Sequence, residues 1–85
     1  MWSVYIIQCA DKTLYTGITN NLSNRLIMHE SGAGAKYTKG RGPFKLVYQE
    51  NFENRSLSTK REGEIKKLNK QKKEMLIEKS GKLRR

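Results

Sequence analysis

Few side chains in this 85-residue sequence have the types that chemistry needs, and most arrangements of them fail on count. One histidine, His29, and one cysteine, Cys9, cannot supply the usual ligand number of a zinc site. No Ser/His/Asp or Cys/His arrangement is readable, because the histidine falls on an expected helix and the cysteine at an expected strand end. Gly40-Arg-Gly-Pro lacks the Gly-Lys-Ser/Thr context of a phosphate loop. What remains is Tyr5, Tyr15, Arg25, His29 and Glu62, with Gly17 two residues after the second tyrosine. Taken singly, the tyrosines also read as aromatics on a half-buried strand face and Gly17 as a bulge. His29 reads equally as a partner of a helix C-terminus, Arg25 as a partner of Glu30 or solvent, and Glu62 as the partner of Lys66 one turn on.

The elements that must position these residues can be read from pattern. Residues 2–9 are β-branched and aromatic, as are residues 13–19 after a polar Ala10-Asp11-Lys12 turn, so the spacing predicts a hairpin. A three-residue loop sets Cys9 opposite Thr13, making paired positions sum to 22, and puts Tyr5, Ile7, Tyr15 and Gly17 on one face, whereas a two-residue loop reverses the parity and separates the tyrosines. Gly17 then lies opposite Tyr5, leaving a gap where a substrate backbone could approach. Asn20 or Asn21 caps a helix to about His29, with Leu22 and Leu26 inward and Arg25 and His29 one turn apart beside them. Ser31-Gly-Ala-Gly breaks this helix, and residues 35–42 make a short basic turn or helical piece. Phe44 to Phe52 is a third strand, and Asn54 to Ser58 reads as loop. From about Leu57 the pattern is helical, with Ile65, Leu68, Met75, Leu76 and Leu83 near one stripe, as one helix or as two broken near Asn69. The expectation is an α+β domain over residues 1–80, an antiparallel sheet flanked by helices, with a basic tail at 81–85.

Bulk composition narrows the partner. The formal charge is +10, and 11 of the 18 Lys and Arg lie in residues 60–85 against four Glu. Such an excess favours a polyanion, nucleic acid before an anionic membrane surface. One cysteine allows no internal disulfide, the first apolar run is too short for a signal peptide, and no stretch of 18 apolar residues occurs. A cytoplasmic monomer is expected.

Ser3-Val4-Tyr5 and, ten residues after that tyrosine, Tyr15-Thr16-Gly17 resemble the two halves of the motif that names the GIY-YIG endonucleases. Arg25 and His29 on the next helix and Glu62 later follow the family's order. Gly34-Ala-Lys-Tyr-Thr and Leu46-Val-Tyr resemble its small stand-alone bacterial members. The resemblance implies a three-stranded antiparallel sheet flanked by helices and a nuclease acting on DNA rather than RNA, in repair or processing. It also implies roles. Tyr5 would orient or deprotonate a water, aided by Tyr15 or His29; Arg25 would hold the phosphate; Glu62 would bind Mg²⁺ or Mn²⁺, a cation that keeps most of its waters on a single carboxylate. Departures are plain: Ser3 and Val4 stand for Gly and Ile, Thr16 for the second Ile, and Lys73 and Glu74 where many members carry an asparagine. Lys36, Tyr37, Lys39, Arg41, Lys60, Lys66 and Lys67 flank the proposed site as contacts to nucleic acid. The competing readings are a catalytically weak nucleic-acid-binding module of the same fold and, last, a basic ribosome- or membrane-surface protein needing only charge.

Overall fold

The computed structural model describes residues 1–32 and 40–83, with side chains to residue 79. The order is β1 (Trp2–Gln8), β2 (Leu14–Thr19), α1 (Leu22–Glu30), β3 (Lys45–Phe52), α2 (Arg55–Lys66) and α3 (Lys70–Leu83). The strands form one antiparallel sheet in the order β2-β1-β3, the α+β architecture expected.

The hairpin has the three-residue loop. Cys9 N–H donates to the Thr13 carbonyl at 2.8 Å, and Lys12, at φ 72°, takes the left-handed conformation that ends such a loop. Asp11 secures the turn by accepting from the Thr13 amide and hydroxyl. The register follows: Tyr5 pairs with Gly17 and Ile7 with Tyr15. Between Ile6 and Ile7 the β1–β3 pairing shifts, so Ile6 opposes Tyr48 while Ile7 opposes Leu46.

The even-numbered face of the hairpin carries the apolar core. Val4, Ile6, Tyr48 and Ile65 are buried together, with Leu14, Ile18, Val47, Phe52, Leu76 and Ile77 packed around them, so α2 and α3 cover this face. The odd-numbered face meets α1, where the single buried side chain is His29 rather than a leucine. Leu22 and Leu26, expected to point inward, are only half-buried.

Two expectations about the second half need correction, and one open alternative is decided. Asn54 to Ser58 is not loop: the Asn54 side chain accepts from Leu57 N–H at 2.9 Å, α2 starts at Arg55, and Ser58 is fully buried. The helical stretch is two helices, because Asn69 caps α3 by accepting from Lys72 N–H at 2.9 Å. That break resets the helical phase, so Met75 leaves the expected stripe and is 63% exposed, while Leu76 and Ile77 turn inward. The helix also continues to Leu83, across the boundary expected at residue 80. Among the described residues no helix is long and apolar enough to cross a membrane.

Candidate active site

Tyr5, Tyr15 and His29 meet on the odd face. The Tyr5 oxygen lies 2.9 Å from His29 Nε2, the tyrosine ring centroids are 6.4 Å apart, and His29 stands edge-on to both rings at 5.9 and 5.4 Å. The hairpin register sets the two tyrosines side by side, and one turn of α1 brings Arg25 alongside His29. Arg25 Nε–H donates to the Tyr5 oxygen at 3.4 Å, a long contact. Gly17 is what makes this arrangement possible: a Cβ there would fall 2.7 Å from the Tyr5 oxygen and 3.1 Å from Tyr15 Cε2. The space beside Gly17 is thus filled by the Tyr5 phenol, not left open for a substrate backbone, which corrects the expectation drawn from the register alone.

Burial sorts the cluster into two levels. Tyr5 is 0% and His29 1% exposed, whereas Tyr15 and Arg25 are half-buried and form the rim. Burial pushes the Tyr5 phenol above its ordinary range, an effect that the Arg25 hydrogen bond opposes and that the charges of Tyr15 and Glu62 reinforce. His29 is held below the usual imidazole range by burial and by the Arg25 charge. Arg25 is raised, chiefly by its bond to Tyr5. A neutral imidazole accepting at Nε2 from a protonated phenol, itself accepting from a guanidinium, satisfies all three shifts.

Glu62 comes from α2, and its charge is felt at Tyr5. Its side chain is 19% exposed and pairs with Lys66 Nζ at 3.2 Å. Among the described residues no group of three or more His, Cys, Asp or Glu could hold a metal. A lone, partly open carboxylate fits a cation that keeps most of its waters, and does not fit a fully protein-ligated ion.

The model of the GIY-YIG catalytic domain matches residues 1–75. The chain belongs to the GIY-YIG family. It is 51% identical over 74 residues to the UPF0213 protein of Natronomonas pharaonis (87% of each chain) and 57% identical over 74 residues to that of Clostridium perfringens (87% of this chain, 80% of that one). The solution NMR structure of the UPF0213 protein from Bacillus halodurans shares 44% identity at a TM-score of 0.60, covering 92% of this chain and 84% of that one. An E. faecalis protein solved in the same way shares 40% identity at a TM-score of 0.61, covering 95% and 85%. Family membership makes the domain nuclease-type, with nucleic acid as the implied substrate.

The basic residues expected around this GIY-YIG domain are placed unevenly. Lys36, Tyr37 and Lys39 lie outside the described residues. Arg41 donates to Asp11 at 2.6 Å while its carbonyl accepts from Ala10 N–H, so it ties its segment to the hairpin turn. Lys60 and Lys67 are exposed on and just after α2, and Lys66 is engaged with Glu62.

Two positioning residues went unread in the sequence. Phe44 packs edge-on against His29 at 5.9 Å, and Glu30 accepts from Phe44 N–H at 3.2 Å, so the end of α1 and the entry to β3 together wall the imidazole. The signal was an aromatic directly after Pro43, but nothing local says that it faces His29. Thr16, the motif's departure from isoleucine, is 4% exposed, and its hydroxyl has no partner among the described residues.

Proposed function

We propose that this GIY-YIG domain is a divalent-metal-dependent nuclease that hydrolyses phosphodiester bonds in DNA, as a cytoplasmic monomer working in DNA repair or processing. The observation that carries the reading is the hydrogen-bonded set of Tyr5, His29 and Arg25 with the Glu62 charge beside it. Buried hydrogen bonds among ionisable groups in one pocket are how proton-transfer sites are built.

Each residue then has a task. Arg25, on the rim, turns its guanidinium from the Tyr5 oxygen to a phosphate oxygen, a contact that strengthens as charge grows there. Loss of the Arg25 bond and entry of a water bring the phenol into use. As Tyr5 takes a proton from the water it gives its own to His29 Nε2, which is neutral and already in contact. The hydroxide oxygen bonds to phosphorus as the bond from phosphorus to the leaving oxygen breaks, its electron pair going to that oxygen, which takes a proton from solvent water. Tyr15, half-exposed beside both, orients the water or the leaving oxygen. Glu62 would hold Mg²⁺ or Mn²⁺, which supplies positive charge to the phosphate and eases ionisation of a bound water. Lys66 must release Glu62 for this. Of the basic residues, Lys36, Tyr37, Lys39, Lys60, Lys66 and Lys67 contact the backbone, with Arg41 through whatever of its charge Asp11 leaves.

The second reading, a catalytically weak binding module, draws support from the full burial of Tyr5 and from Lys73 and Glu74 where many members carry an asparagine. Labelled branched, duplex and single-stranded DNA and RNA, incubated with Mg²⁺, Mn²⁺ or chelator, separate the two. Cutting by the wild type that Tyr5→Phe and Glu62→Ala both abolish establishes the nuclease. Salt-sensitive binding with no cutting under any condition establishes the module.

A further inference from the structure

Next to the phenol cluster the described residues form a basic surface that runs from Lys66, paired with Glu62, to Lys70 and Lys73. A groove of about 310 Å³ runs between the edge strand β2 and the helices, lined by Leu14, Tyr15, Thr16, Lys66 and Lys73. A second hollow of about 220 Å³, lined by Thr13, Leu14, Lys70 and Lys73, shares Leu14 and Lys73 with the first, so the two are continuous. We propose that this groove is a binding track for the phosphodiester backbone of one unpaired nucleic-acid strand, the strand adjoining the reaction cluster. The assignment of that strand as the one being cut rests on the nuclease reading above; the binding itself does not.

Four observations point the same way. First, Tyr15 is a wall of the groove and also a member of the cluster, 5.4 Å from His29 and 6.4 Å from Tyr5 by ring centroid, so a strand in the groove arrives at the phenols. Second, among the described residues Lys70 and Lys73 have no carboxylate within ion-pair distance, unlike Lys66 with Glu62 and Arg61 with Glu50 and Glu64. Uncommitted ammonium groups on one side of a groove release counterions when phosphates take their place. Third, Thr16 lines the same wall, and its buried hydroxyl has no partner among the described residues. Fourth, the Tyr15 ring stands in the wall beside Leu14, which is half-buried and shared by the two hollows, so the groove offers an aromatic and apolar surface to unpaired bases. Bases that a duplex keeps stacked are the ones an apolar wall can contact, so a 12-base-pair duplex should bind more weakly than a single strand of the same length, and equal binding overturns the track. β2 is an outer strand of the sheet, so its rim is not covered by another strand.

The shared chemistry is the backbone, and DNA and RNA are told apart in the test. Fluorescein-labelled oligothymidylate and oligouridylate of 12 residues are titrated in chelator, where no metal-dependent cutting occurs, over a range of salt, with anisotropy as the readout. Lys70→Ala/Lys73→Ala is compared with Lys72→Ala/Lys79→Ala, which removes the same charge from exposed positions of the same helix outside the groove. The groove pair should weaken binding about tenfold and reduce the slope of log K against log salt by about 1.4, two phosphates at about 0.7 each for a single strand. The control pair should cost markedly less. Equal loss in both pairs, or wild-type binding by the groove pair, overturns the track. Lys70→Gln/Lys73→Gln repeats the loss if charge is the cause, and helical circular dichroism of each variant excludes unfolding as its source. A preference for one oligomer names the nucleic acid. A wild-type protein that binds in this way but never cuts leaves the track standing and removes only the nuclease reading.

Discussion

The two faces of the sheet each bury a tyrosine, and they do so for different ends. Tyr48, on the side of α2 and α3, donates to Glu50 at 2.5 Å, while Arg61 binds Glu50 and Glu64 at 3.0 Å each. That network closes on itself: burial and the neighbouring carboxylate push the phenol up, the hydrogen bonds to both glutamates raise Arg61, and α2 is pinned to β3. Among the described residues Tyr5, on the side of α1, has only His29 and a long bond from Arg25, with no carboxylate in hydrogen-bond contact. A phenol answered by a carboxylate is locked, and one answered by a neutral imidazole keeps a route for its proton. The same side-chain type is thus structural on one face and reactive on the other, according to its acceptor.

That contrast can be broken at several points. The largest change in stability should come from the apolar face: Ile65→Ala empties a fully buried position and should cost about 2–5 kcal/mol, read by denaturant titration. On the other face Tyr5→Phe should lower cleavage at least about 100-fold, a general acid–base contribution, and cost about 1–3 kcal/mol of stability because buried His29 Nε2 loses that partner. If Tyr5→Phe cuts as the wild type does, the proposed relay is wrong. Gly17→Ala forces a methyl to within 2.7 Å of the Tyr5 oxygen, so a destabilisation of about 1–3 kcal/mol is expected together with lost cleavage. Tyr48→Phe sharpens the pair: a loss of about 0.5–1.5 kcal/mol in stability with cleavage retained. A Tyr48→Phe protein that folds normally but no longer cuts would erase the distinction between the faces.

The smallest effect is in pH. His29 is held below its unfolded value of 6.5, so the folded state binds fewer protons than the unfolded one between those two values. The stability it contributes is complete above pH 6.5 and is lost as pH falls from there through the lowered folded value. Melting temperature should therefore be flat from about pH 7 upward and decline below about 6.5, the ordinary imidazole value, and His29→Gln should flatten that decline. An unchanged slope in His29→Gln would mean that the imidazole is not held neutral by the fold.

Much of this molecule follows from short-range rules that the chain states openly. The hairpin register came from a polar three-residue turn between two β-branched runs, because strand side chains alternate and the loop length sets the parity. Asn20 or Asn21 marked the start of α1 because such a side chain can answer the first free amides of a helix, and in the fold Asn21 does so. By the same reasoning Tyr5, Tyr15, Arg25 and His29 were legible as a set: two lie on one strand face and two on one helical turn, and the motif spacing joined them. Other features needed the fold. Glu62 was indistinguishable by spacing from Glu64; in the fold Glu62 pairs with Lys66 and its charge helps to raise the Tyr5 phenol, while Arg61 takes Glu64. Met75 lost its inward place because Asn69 restarts the helix, a phase change that hydrophobic spacing read as one continuous stripe. The depth of the cluster was likewise invisible. Residue order determined which groups share a face, since that is local geometry. Which phenol is sealed beneath α1, which is closed off by a carboxylate, and which lysines keep no partner were decided by elements far apart in sequence, because burial and pairing belong to the packed chain.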